Sequence, residues 1–118
     1  MADAAIFIGW GQVVRGREAK ALAVFNESLA YYAKLQQSGS IESFEPVILA
    51  PHGGDLAGFV LLRGDAGKLA AVRASEEFQR ITVRAGLIVN NLGVVDASIG
   101  QSLATGLATF QGQLQDLA

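Results

Sequence analysis

Apolar residues recur along this chain with two different periods, and the alternation between them sets out the elements. From Ala4 to Val14 the run A-A-I-F-I-G-W-G-Q-V-V has the two-residue period of a strand. Ile6, Ile8, Trp10 and Gln12 fall on one face, and Phe7, Gly9, Gly11 and Val13 on the other. Both faces are largely apolar, as expected of a strand covered on both sides. Gly9 and Gly11 share a face, where a helix or a ligand would be able to approach the backbone closely.

The period then lengthens. Arg15-Gly16 breaks the strand, and Arg17 to Gln37 carries Leu22, Phe25, Leu29, Tyr32 and Gln36 in one stripe at helical spacing. A second stripe holds Val24, Tyr31 and Leu35; it is more than one sheet face requires, and it predicts a subunit contact or a cleft wall. Ser38-Gly39-Ser40 stops the helix, with glycine near the C-cap.

Two strands are expected next, Ile41–Ala50 and Gly58–Gly64, whose apolar runs Val47–Ala50 and Phe59–Leu62 flank Pro51-His52-Gly53-Gly54-Asp55. That cluster predicts a hairpin, with Gly53 and Gly54 able to take the positive backbone angles of a reversal. Pro46 cannot donate to a ladder, so it predicts an edge strand or a bulge. Lys68 to Ala74 begins a helix through Leu69 and Val72. Ser75 starts another, as an N-cap followed by Glu76 and Glu77, and Phe78, Ile81 and Ala85 supply its buried face. A fourth strand is expected within Ile88–Ala97, with Asn91-Leu92-Gly93 as an irregularity. In the last segment, Ser102–Leu117, residues Leu103, Leu107, Phe110, Leu114 and Leu117 repeat at 4-3-4-3. So narrow a seam suits one partner surface, either the chain's own or a neighbouring subunit's.

The order is β-α-β-β-α-β with a trailing helix. It predicts the α+β class and a ferredoxin-like antiparallel sheet with helices on one face. Such a sheet leaves its other face bare, yet these strands are apolar on both faces. Pairing two sheets face to face resolves the conflict.

Composition sharpens that picture. The 118 residues suit a single domain, with its core over about residues 4–100 and the extra helix over about 102–117. Apolar residues make up 51% and charged residues only 17%, against about 25% in ordinary domains. So few charges clothe a small globule poorly, and a homodimer is expected. The net charge of −2 with no basic run argues against nucleic acid. The absence of cysteine excludes disulfides, iron–sulfur clusters and thiolate zinc sites. No run approaches the roughly 20 apolar residues of a membrane span, and Met1-Ala2-Asp3 lacks the basic start of a signal peptide, so a cytoplasmic protein is expected.

The opening strand I-F-I-G-W-G-Q, the hairpin around P-H-G-G-D-L, and L-L-R-G followed by S-E-E-F-Q-R carry a resemblance. From Ile6 to about Ala97 the chain resembles the dimeric α/β-barrel superfamily, and within it a small bacterial family without an assigned activity. In that superfamily two ferredoxin-like subunits pack their sheets into one barrel. The resemblance implies a pocket between the sheet and the helices of each subunit. Members include cofactor-independent monooxygenases, haem-handling enzymes, lactone isomerases and pure binding modules. No catalytic motif of theirs matches a position here.

Candidate chemistry therefore comes from the residues alone. His52 and Asp55, three apart in the hairpin loop, suit a general base and the carboxylate that orients it, or else a solvated turn. Trp10 and Gln12 suit a stacking wall and an orienting amide, or core packing. Tyr31 and Tyr32 point about 100° apart on their helix, so only one can line a given cleft; Tyr31 is taken as the pocket residue. Arg63, at the end of an apolar strand, suits an anionic substrate group or a sheet-edge cap. Glycine spacing fits neither a dinucleotide fold nor a P-loop, and one histidine without cysteine makes a poor transition-metal site. Two functions stay open. One is a cofactor-free oxygenase or isomerase of a small, largely apolar molecule. The other is a non-catalytic binding or structural module.

Overall fold

Four strands form one antiparallel sheet in the computed structural model, which describes residues 2–118. In chain order the elements are β1 (Ala4–Trp10), α1 (Glu18–Gln37), β2 (Ser43–Ile48), β3 (Gly58–Gly64), α2 (Ala66–Ala74), α3 (Glu76–Gly86), β4 (Gly93–Ala97) and α4 (Gly100–Asp116). The strands lie side by side in the order β2-β3-β1-β4. Pro46 thus sits on an edge strand, where its missing donor is tolerated.

Local chemistry sets the boundaries. Asp65 caps α2 by accepting the Lys68 N–H at 3.0 Å. Ser75 serves two helices at once: its Oγ donates to the Val72 carbonyl at 2.6 Å and accepts the Phe78 N–H at 3.2 Å. The hairpin loop turns on Gly53, whose φ of +83° favours glycine; Gly54 does not share that conformation.

β1 is shorter than its apolar pattern. Beyond Trp10 the backbone bonds instead to the segment preceding β4: Gly11 N–H to the Asn90 carbonyl (2.7 Å), Asn90 N–H to that of Gln12 (2.8 Å) and Val14 N–H to that of Ile88 (2.9 Å). Asn91, at φ +58°, makes the irregularity expected before β4.

Register divides the side chains cleanly. Ile6, Ile8, Val60 and Leu62 point to the helices and pack with Tyr31, Tyr32, Leu69, Val72, Phe78 and Ile81. A smaller cluster, Ala21, Val24 and Ile88, stands apart from this one. Phe7, Val47, Phe59, Leu61 and Val95 share the opposite face, with the Phe7 and Phe59 rings stacked at 5.1 Å. The three helices α1 to α3 do not cover that face, and the hairpin loop reaches it only at the Gly9 end of β1, through Leu56.

α4 is anchored only at its start. Ser102 N–H donates to the Asp3 carbonyl at 3.2 Å, and Ser102 Oγ accepts the Ile99 N–H at 3.0 Å. No residue of α4 is buried, and the five seam side chains are 46% to 82% exposed. The chain's own surface does not cover the seam. The helix lengthens the molecule to 53 Å and its radius of gyration to 16.2 Å, against about 13.5 Å for a compact domain of this size.

Candidate functional site

A cavity of about 310 Å³ opens on the helix side of the sheet, at the end where β1 finishes. It is the gap between the two core clusters. Ile8, Val60, Trp10, Leu29, Tyr32 and Leu92 line it from the larger cluster, and Ala21, Val24, Ala85, Ile88 and Val89 from the smaller. On this side α1 presents the small side chains of Ala21, Val24 and Ser28 beside the larger Leu22, Phe25, Leu29 and Tyr32, and the space between them and the sheet is left open. Val13, Leu22 and Ile48 form an apolar, exposed mouth.

Trp10 is held in the wall by a glycine. Gly58 faces it across the β1–β3 ladder, and a Cβ there would lie 2.8 Å from Trp10 Cζ2 and 2.7 Å from the Val47 carbonyl oxygen. The indole thus lies over a position where any side chain would collide. Phe25 meets its edge, with ring centroids 5.9 Å apart.

Polar groups in the wall are few. Ser28 Oγ donates to the Val24 carbonyl at 2.8 Å, which leaves its lone pairs free to accept. Tyr32 is held neutral well into alkali: burial, reinforced by neighbouring Tyr31, pushes its phenol up to about 12. A phenol that stays protonated is a hydrogen-bond donor. Glu18 is the one charged residue lining the cavity among the described residues, and its carboxylate accepts the Gly16 N–H at 3.3 Å.

The two helices that wall the cavity are tied by charge on their outer side. Glu27 of α1 accepts a hydrogen bond from Arg84 Nη2 of α3 at 3.1 Å. Its other oxygen pairs with Arg84 Nε at 3.0 Å and with Arg80 Nη1 at 3.5 Å.

Of the six residues singled out from the sequence, Trp10 lines this cavity and the other five do not. His52 is exposed, and its loop uses both ring nitrogens: Nδ1 accepts the Gly54 N–H at 3.2 Å, so Nε2 donates to the Leu56 carbonyl at 2.7 Å. Asp55 is exposed in the same loop, which folds over the face of β1 opposite the Trp10 indole. Leu56 and the Asp55 carbonyl there come against Gly9 and Gly11, so the close approach those glycines permit is made by the loop. Gln12 is exposed and engages Asn90 through its backbone. Arg63 donates to Glu45 on the neighbouring strand at 3.0 Å, again on the bare face.

Tyr31 walls a second, more polar cleft with Leu35, Lys68, Ser75 and Glu77. Burial raises its phenol too; the Ser75 hydrogen bond opposes this, and Glu77 adds to it. Tyr32 is the tyrosine of the apolar cavity. The signal for it was present in the sequence, because Tyr32 shares its helical stripe with Leu22, Phe25 and Leu29, and all four line the cavity. No group of three or more acidic or histidine side chains among the described residues is placed to hold a metal ion. No helix among them is long and apolar enough to cross a membrane.

Solved structures share this architecture. A dimeric ferredoxin-like protein of unknown function from Jannaschia sp. CCS1 superposes with a TM-score of 0.63 at 14% identity, over 81% of this chain and 99% of that one. A second dimeric protein of unknown function with a ferredoxin-like fold, from Bacteroides fragilis NCTC 9343, gives 0.59 at 12%, over 81% and 96%. SnoaB, a cofactor-independent oxygenase from Streptomyces nogalater, gives 0.54 at 17%, over 85% and 96%. No family model and no curated protein sequence matches. The chain has the ferredoxin-like fold, as its strand order and pattern predict.

Proposed function

We propose that the protein is a homodimer whose helix-side cavity binds a small, largely apolar molecule with no more than one or two hydrogen-bonding groups. The cavity carries this reading. Its volume lies at the lower end of ligand sites, with room for a molecule of about one or two rings. A neutral phenol and one accepting hydroxyl supply its orienting groups, so an oxygen-bearing aromatic or alicyclic compound suits it better than an anion. The dimer is supported by the bare apolar face of Phe7, Phe59, Leu61 and Val95, and by the dimeric state of two proteins with this fold.

A second reading adds turnover, as a cofactor-independent oxygenase or isomerase, and is suggested by the likeness to SnoaB. It would assign the base to His52, oriented by Asp55. The ring nitrogens already engaged within the loop favour the binding reading instead. On any substrate that is turned over, a rate unchanged in His52→Ala removes His52 from the chemistry.

The direct test uses the one tryptophan in the chain, whose indole N–H gives a single, unambiguous cross-peak. Titration with 1-naphthol is expected to move that peak saturably, and 1-naphthoate to bind about tenfold more weakly or worse, because an unpaired carboxylate is costly to bury in this wall. No saturable shift with naphthol up to its solubility, or tighter binding of the anion, overturns the reading.

A further inference from the structure

The geometry points to α4 as a dimerisation arm, whose Leu103–Leu107–Phe110–Leu114–Leu117 seam lies against a second copy of this chain. A helix with this sequence has little to hold it up alone. Between Gly100 and Gln115 it has no charged residue, so it gains nothing from side-chain ion pairs, and neither terminal turn carries a charge that complements the helix dipole. Gly106, Gly112, Thr105 and Thr109 lower its propensity further. Seventeen residues of such composition are marginal as a helix in water, and the stability must come from packing. Its own chain buries none of it.

What the seam packs on follows from three observations. First, the helix has no basic residue on any face, whereas a helix that lies on a membrane surface is rich in lysine and arginine. Second, α4 starts where β1 begins and β4 ends, through the Ser102–Asp3 bond and the contact of Gly100 with the Ala2 carbonyl. It therefore leaves the sheet at the end where β1 begins, with Ser102 bordering a shallow cleft beside Leu69 and Arg73 of α2, and the rest of the seam stands clear of its own chain. Third, a stable dimer needs roughly 800 Å² from each partner, and the five large exposed side chains of the seam would add to what the sheet face contributes. The choice of a second copy rests on the paired-sheet reading; the uncovered seam does not.

The test uses the full chain and compares wild type with the double variant Leu107→Glu/Phe110→Glu. Both positions are exposed within the monomer, so the thermal midpoint of the dissociated chain should hold. Sedimentation over a dilution series is expected to show a wild-type dimer and a dissociation constant raised about tenfold or more in the variant. A nitroxide placed at Phe110→Cys, the only thiol in the chain, should become shielded from a water-soluble relaxing agent on dimerisation. A dimer of unchanged affinity with the label fully accessible overturns the arm and leaves the paired sheets standing. A wild type that is monomeric throughout overturns both. Seam-dependent flotation with phosphatidylcholine vesicles would assign the seam to a membrane and likewise overturn the proposal.

Discussion

The two ends of the core are built from the same apolar residue types, yet one is filled and the other hollow. At the filled end Leu62 is 0% exposed, and Leu69, Val72, Phe78 and Ile81 close over it from two successive helices. At the hollow end α1 and α3 both border the space, and Ala21, Val24, Ser28 and Ala85, all smaller than Leu69, Phe78 and Ile81 of the filled end, line it with Ile8 and Val60. Hydrophobicity alone does not distinguish these ends. Side-chain size is one difference between them. The fold packs closely where Ser75 joins two helices above Leu62, and it leaves space where the second helix presents Ala85.

The largest test of this contrast is a pair of identical truncations. Leu62→Ala should cost about 3–4 kcal/mol in urea unfolding, because the surrounding core cannot collapse into the gap. Leu29→Ala, on the cavity wall, should cost only about 1–2 kcal/mol, since one side of Leu29 already faces space. Equal costs at the two sites would mean that the cavity is closed in solution.

Alkali gives the next effect. A phenol whose folded value is raised keeps its proton while the unfolded chain loses it, so the stability it contributes is whole below about pH 10 and declines towards about 12. For Tyr32 the full loss is on the order of 2–3 kcal/mol. The Tyr32 share of the tyrosinate absorbance should therefore appear only towards about pH 12 or with unfolding. Ionisation of both tyrosines near pH 10 in a chain that stays folded would show that neither phenol is shielded.

Filling the hollow should have the smallest effect on stability and the clearest on binding. Ala21→Leu adds side chain into empty space and is expected to leave stability within about 1 kcal/mol of wild type. The same variant should lose the naphthol response at Trp10. A large destabilisation would show that the space is narrower than 310 Å³ implies.

Much of the fold was legible because period and punctuation agree in this sequence. Pro46 marked an edge strand or a bulge, Ser75 the helix start, and the β-α-β-β-α-β order the antiparallel sheet. The end of β1 was not legible, because Gln12-Val13-Val14 continues the strand pattern while pairing with a different part of the chain. The cavity was only partly legible. Trp10 could be placed in its wall by alternation along a strand, a local property. Gly58 beneath the indole, the choice of Tyr32 over Tyr31, and the use of the His52 ring to tie its own loop all depend on cross-strand register or on the exact path of a loop. Those are long-range facts, and single-residue chemistry carries no trace of them.

The Glu27 clamp joins α1 to α3 by a contact of a different kind from the apolar packing beneath it. Arg80 and Arg84 are 54% and 47% exposed, so dissolved salt screens their attraction to the carboxylate. The apolar contacts between the same helices and the sheet carry no such dependence. One pair of elements is thus held by two contributions that ionic strength separates.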